Sequence, residues 1–222
     1  SFCFLLHINT SKQLYNILNK FKSTLIYFSM KKLIDKKIIL VSSILLGLGI
    51  LSGIIFFFIT TSLDKMIVKN MMNEFVSIKT NVTFSTFINS FKYNIIYIVI
   101  ITLSSLLVIF SPLVLLINYY KGLTIGFLIS STISTFKLKG ILYFVAILFP
   151  HHILMSILLI LYSSIMFKLS LKLLKVIYMN EPINLNIFIK KVLILFLTSL
   201  IICIIISLLE IYISPLLLGL IA

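Results

Sequence analysis

The 222-residue chain has few acidic residues and no arginine: five acidic side chains stand against 19 basic ones, and all of the basic residues are lysines. Without arginine, no guanidinium group is available to hold a carboxylate or phosphate through two parallel hydrogen bonds. The two cysteines, Cys3 and Cys203, lie far apart in the sequence, and Cys203 is inside an apolar run. No disulfide framework is indicated.

Charged residues make up only 11% of the chain and hydrophobic residues 61%. This composition lies far outside the range of soluble domains and excludes a water-soluble enzyme. A net charge of +14 is typical of proteins that bind nucleic acid. The lysines, however, are confined to the ends of apolar segments, as the positive-inside rule predicts for membrane proteins. We therefore expect the lipid bilayer, and no nucleic acid, as the partner of this charge.

The integral membrane domain is predicted to begin at Met30. Residues 1–29 are not apolar enough to span a bilayer and are interpreted as translated upstream sequence or a disordered extension. Residues 30–222 are interpreted as a single membrane domain. Its first apolar run, 38–59, has the roughly 20 residues that cross the hydrocarbon layer, and it is too long for the core of a cleaved signal peptide.

Five transmembrane helices are predicted in an all-α, polytopic fold, with a short turn at Lys121 and Gly122 between the second and third. The lysine-rich segment 168–191 is expected in the cytoplasm together with the amino terminus. Two further crossings after the second span return the chain to the cytoplasm before residue 168, whereas a re-entrant loop near Pro150 followed by one crossing would leave that segment outside. The count of crossings therefore favours two spans there, and the fifth span places the carboxyl terminus outside. The predicted spans are 38–59, 95–117, 119–136, 141–167 and 192–212.

The segment after the first span predicts amphipathic helices on the outer membrane face. Phe84, Phe87, Ile88 and Phe91 recur at i, i+3, i+4 and i+7. An earlier set repeats every four residues, namely Leu63, Ile67, Met71 and Phe75. The aromatic face is a candidate docking surface for a partner protein, and the alternative is that these helices only cover the bundle.

Small residues indicate where helices approach closely. Gly49 and Gly53 form a Gly-x-x-x-Gly pattern in the first span, which allows close backbone contact in lipid. The pattern fits either a neighbouring helix of the same chain or a homodimer. Gly122, Gly126 and Pro150 are assigned to helix packing as well.

A candidate intramembrane polar site comprises His151, His152 and Glu210. Ionisable side chains at membrane depth are functional candidates. The histidines could satisfy backbone groups freed by Pro150, relay protons, bind a solute or ligate a metal, but no second pair stands at the i, i+4 spacing of zinc sites. Glu210 is expected near the outer interface, where it could reach His151. No cofactor or metal is assigned.

Four short segments stand in order along the chain: Phe91-Lys92-Tyr93-Asn94, Tyr120-Lys121-Gly122-Leu123-Thr124-Ile125-Gly126, Phe149-Pro150-His151, and Ser207-Leu208-Leu209-Glu210 leading to Ser214-Pro215. Taken in register, they resemble the stage II sporulation protein M family of bacterial membrane proteins. The resemblance implies a mother-cell membrane protein that acts in engulfment, recruiting or anchoring two peptidoglycan-degrading partners, the stage II sporulation proteins D and P, at the septum. Where family members often have Gly and a nearby acid, this chain has His152 and Met155.

The leading functional hypothesis is a non-enzymatic membrane scaffold for remodelling of septal peptidoglycan. The alternative is a small helical transporter or proton-linked channel that uses Pro150, His151, His152 and Glu210. An intramembrane protease is disfavoured because the sequence has neither a His-Glu-x-x-His motif nor a glycine-flanked serine nucleophile.

Overall fold

The structure, a computed structural model, describes residues 35–77, 84–148, 151–179 and 185–221. The extension predicted for residues 1–29, and Pro150, lie outside these residues. The described part of the chain forms seven α-helices and one short 3-10 helix. They are α1 (Lys36–Ile59), α2 (Ser62–Ser77), α3 (Phe84–Leu106), the 3-10 helix (Val108–Phe110), α4 (Ser111–Phe136), α5 (Leu138–Leu148), α6 (His151–Met179) and α7 (Leu185–Ile221).

Five of the helical segments are long and apolar enough to cross a membrane, and they contain α1, α3, α4, α6 and most of α7. This confirms the predicted all-α fold with five spans. With 11 residues, α5 is only about 16 Å long and is too short to cross a hydrocarbon layer of about 30 Å. The chain is a multi-pass membrane protein.

Hydrogen bonds from side chains set the start of α1 and the junction between α1 and α2. Asp35 accepts a hydrogen bond from the backbone N–H of Lys37 at 3.1 Å and so caps α1. Thr61 accepts from the N–H of Asp64 at 3.3 Å, and its hydroxyl donates to the Asp64 carboxylate at 2.6 Å. This reciprocal pair starts α2, which packs against α4.

The helix directions follow from contacts between distant residues. Gly49 of α1 meets Gly122 of α4, and Gly53 meets the segment 123–127, so these two helices run parallel. Ser42 of α1 bonds to Ser164 of α6 at 3.2 Å, and Asp35 pairs with Lys168 at 3.7 Å, so α1 and α6 run antiparallel. The start of α1 and residue 168 therefore lie at the same end of the bundle.

The turn between the second and third spans lies at residues 107–110 rather than at the predicted Lys121 and Gly122. Pro112 stands in the first turn of α4, where a missing N–H costs nothing and the fixed φ favours a helix. Pro112, which lies within the predicted second span 95–117, therefore belongs to the start of the third span. The predicted spans 95–117 and 119–136 are corrected to Phe84–Leu106 and Ser111–Phe136.

This correction also changes the outer helices. Phe84 and Phe91 belong to the first turns of the spanning helix α3, so their amphipathic pattern does not form a separate helix. Of the two amphipathic helices that the sequence predicts, α2 is a separate element.

The fourth span, predicted over residues 141–167 with an interruption at Pro150, consists of two helices, α5 and α6. Lys137 follows the end of α4 with a positive φ of 53°, and the chain turns there into α5. A Cβ at Gly140 would lie 2.6 Å from the carbonyl oxygen of Thr132, so the start of α5 lies directly against the last turns of α4. The last helix, α7, also extends beyond the predicted 192–212 at both ends.

Three successive residues of α6 bond to three different helices. Tyr162 and Thr102 of α3 share a hydrogen bond of 2.7 Å, and Ser163 accepts from Asn118 of α4 at 2.7 Å. Ser164 bonds to Ser42 of α1. Because successive side chains on a helix point about 100° apart, α6 occupies the centre of the bundle and is held there by polar contacts.

Candidate functional site

The break between α5 and α6 positions the two histidines. α5 ends at Leu148 and α6 begins at His151, so both side chains stand in the first turn of a new helix. The first N–H groups of that helix have no partner within it. The histidines therefore lie beside the positive end of a helix inside the bundle.

Glu210 of α7 lies next to this helix start. Nε2 of His151 is 3.5 Å from Oε1 of Glu210, and Asn94 of α3 donates to Oε2 at 3.4 Å. The Asn94 amide also donates to the hydroxyl of Ser207 at 3.2 Å. The structure thus brings His151 and Glu210 together and adds Asn94, which the sequence marks only as part of the segment Phe91-Lys92-Tyr93-Asn94.

Lys121 completes the site, although the sequence pattern predicts it in a turn. Its Nζ lies 3.4 Å from Nδ1 of His152, and it stands 5.1 Å from the centre of the Tyr97 ring. The residue is 4% exposed. It lies about 15 Å from the start of α4, near the middle of a spanning helix. The sequence does carry a signal for this position of Lys121, because the apolar run continues on both sides of it, from Pro112 to residue 136.

Together Asn94, Lys121, His151, His152 and Glu210 form what we call the polar cluster. The two imidazole rings are 4.0 Å apart between centroids and separate the ammonium group of Lys121 from the carboxylate of Glu210. An isolated charge at this depth is costly, and opposite charges in one cluster reduce that cost. The cluster connects four helices, α3, α4, α6 and α7.

The chemistry available to the polar cluster is charge pairing and proton exchange. His151 is 5% exposed, and its Nδ1 atom makes no hydrogen bond within the described residues. The side chain of Glu210 is 27% exposed and is therefore more accessible than that of His151, which is 6% exposed. Among the described residues, no three His, Cys, Asp or Glu side chains are grouped in a way that could hold a metal ion.

The four glycines assigned to packing form one seam between α1 and α4. A Cβ at Gly49 would meet the carbonyl oxygen of Tyr119, and a Cβ at Gly53 would meet that of Leu123. Gly122 and Gly126 oppose Leu46 and Ile50 in the same way. This face of α1 is occupied by a helix of the same chain.

The aromatic residues proposed for docking lie at the end of the bundle opposite to Asp35 and Lys168. Phe84 is 77% exposed, and Phe87, Ile88 and Phe91 are partly buried. The ring of Phe87 lies 6.3 Å from that of Phe84 and stacks on Phe91 at 6.0 Å. Leu63, Ile67 and Met71 of α2 are exposed as well.

The five spans and the polar cluster between them define a polytopic α-helical membrane protein. The family model described as stage II sporulation protein M matches residues 41–215, which include every residue of the polar cluster. The chain belongs to the stage II sporulation protein M family and is a sporulation-related membrane protein. No curated protein and no solved structure matches it.

Proposed function

We propose that this protein is a membrane scaffold without catalytic activity of its own. In this proposal it recruits or anchors septal peptidoglycan-degrading proteins, the stage II sporulation proteins D and P, during engulfment. It would act in the mother-cell septal membrane, with its amino terminus in the cytoplasm and its carboxyl terminus outside. Membership of the stage II sporulation protein M family is the observation that carries the proposal.

The position of the aromatic surface supports this role. Phe84 and the exposed apolar side chains of α2 lie at the end of the bundle opposite to the lysines at the start of α1. If the lysine-bearing end is cytoplasmic, as the positive-inside rule predicts, this aromatic surface faces the cell wall. Exposed aromatic and methionine side chains are typical of protein-binding surfaces.

The proposal is tested by replacing Phe84 with Ser and recovering the protein from sporulating cells. The variant should enter the membrane at the normal level but recover much less of proteins D and P, because a large exposed apolar contact is lost. Ile109→Ser is a matched control, since Ile109 is 89% exposed and lies in the 3-10 helix that follows α3, at the end of α3 opposite to Phe84. Equal recovery of both partners by Phe84→Ser and the control would exclude this surface from docking.

A second candidate function, a proton-linked transporter, is favoured by the polar cluster. Transport sites in membrane proteins are commonly built from broken helices near the middle of the bilayer. Purified protein in vesicles loaded with a pH-sensitive dye should then carry protons, and His151→Ala should abolish the flux. A control variant, Lys92→Gln, alters an exposed lysine of α3 and should have no effect. This function would be contradicted if vesicles that contain the protein kept a pH gradient for as long as protein-free vesicles do.

A further inference from the structure

Seven lysines from three helices are gathered at one end of the bundle. The pair between Asp35 and Lys168 brings the start of α1 to the level of the second half of α6. The start of α7 lies at this end too, because only residues 180–184 separate it from α6. We call this surface the lysine end, and its lysines are Lys36 and Lys37 of α1, Lys168, Lys172 and Lys175 of α6, and Lys190 and Lys191 of α7.

The lysine end extends beyond the start of α1. After Lys168, α6 continues for 11 residues to Met179, which is about 16 Å. Lys168, Lys172 and Lys175 stand at i, i+4 and i+7 and therefore lie along one face of this extension.

Apolar side chains accompany the lysines at this end. Ile177, Tyr178 and Met179 at the end of α6 are exposed, and so are Leu185 and Ile187 at the start of α7. A surface that combines lysines with exposed apolar and aromatic side chains is typical of segments in the interfacial region of a bilayer. The phosphate groups of lipids lie in the same region.

We propose that the lysine end is a binding site for the headgroups of anionic phospholipids. The acidic residues in these parts of the sequence are Asp35 and Glu181, so seven lysines against two acids leave a net charge of +5. A lysine near an anionic membrane surface gains about 1 kcal/mol of attraction, which corresponds to roughly a five-fold effect on affinity. An acidic soluble protein would not account for the apolar side chains that project among the lysines.

The experiment uses the purified full chain in detergent and compares phosphatidylglycerol with phosphatidylcholine as added lipid. Native mass spectrometry counts the bound lipids, and the unfolding temperature reports stabilisation. A triple variant with Lys36, Lys175 and Lys190 each replaced by Gln removes one exposed lysine from each helix. The matched control replaces Lys69, Lys92 and Lys139 with Gln, which removes the same charge from exposed positions on α2, α3 and α5.

Phosphatidylglycerol should bind more tightly than phosphatidylcholine, and the preference should weaken as salt is added. The triple variant should lose affinity for phosphatidylglycerol by a factor on the order of 100 at low salt, whereas the control variant should keep it. Both variants should unfold at the same temperature as the unmodified protein when no lipid is added. Equal binding of the two lipids, or full retention of the preference by the triple variant, would overturn the proposal.

Discussion

The most unusual residue of this protein is Lys121, a lysine inside a spanning helix. Its ammonium group lies beside His152 and over the ring of Tyr97, and Glu210 stands on the other side of the histidine pair. Breaking a directly bonded, buried ion pair typically costs about 3–5 kcal/mol. The cost here should be smaller, because the histidines lie between the two charges and the side chain of Glu210 is 27% exposed. The two charges should therefore be energetically coupled although the histidines separate them.

We predict that Lys121→Met and Glu210→Gln each lower the free energy of unfolding by a few kcal/mol, while the double variant loses clearly less than the sum of the two. The measurement is a double-mutant cycle from denaturant unfolding in detergent. Lys69→Met, an exposed change on α2, provides the baseline for losing a charge. Strictly additive losses would mean that Lys121 and Glu210 do not compensate each other.

The sequence could identify His151, His152 and Glu210 because ionisable groups within apolar runs are visible without a structure. It could not place Lys121, since a lysine next to glycine reads equally well as a turn between two spans. Asn94 was recognised only as part of a motif, because an amide near the start of an apolar run gives no sign of the helix it faces. Its bonds to Ser207 and Glu210 depend on how α3 packs against α7.

At the scale of elements, α1 and α4 pack backbone against backbone along the glycine seam. Lipid chains are as apolar as leucine, so helices in a bilayer associate through close packing and hydrogen bonds rather than through the hydrophobic effect. The seam provides close packing, and Tyr162, Ser163 and Ser164 of α6 provide hydrogen bonds between helices. Hydrogen bonds of this kind average about 0.6 kcal/mol each in membrane proteins, so the seam should dominate the position of α1.

We predict that Gly122→Ala strongly destabilises the protein, because the added methyl group would meet the carbonyl oxygen of Leu46 and force α1 away from α4. Gly47→Ala is the matched control on α1, since a Cβ at Gly47 has no heavy atom within 4 Å. In a helix this control change should be neutral or stabilise by up to about 1 kcal/mol. The unfolding temperatures of the two variants in detergent give the comparison, and equal temperatures would contradict the assignment of the seam.

Hydropathy could predict the number of spans but not all of their boundaries. Pro112 has two physical readings, as a break near the end of one helix or as the first turn of the next, and the local sequence fits both. In the structure Pro112 stands in the first turn of α4, and the third span is therefore 26 residues long, or about 39 Å. The prediction of a chain interrupted near Pro150 corresponds to the division into α5 and α6.

At the scale of the whole molecule, the two ends of the bundle differ in chemistry. Lysines of α1, α6 and α7 gather at one end, and the aromatic start of α3 lies with α2 at the other. The proposed function depends on the second end facing the cell wall. It therefore depends on the direction in which five spans cross the membrane.

The orientation is measured most directly with single cysteines at Lys69 of α2 and Lys175 of α6, in a chain whose natural Cys3 and Cys203 are replaced by Ser. A maleimide reagent that does not cross membranes is added to intact cells and, separately, to permeabilised cells. We predict labelling of Lys69→Cys in intact cells and labelling of Lys175→Cys only after permeabilisation. Labelling of Lys175→Cys in intact cells, with Lys69→Cys protected, would show the opposite orientation and contradict the scaffold that we propose.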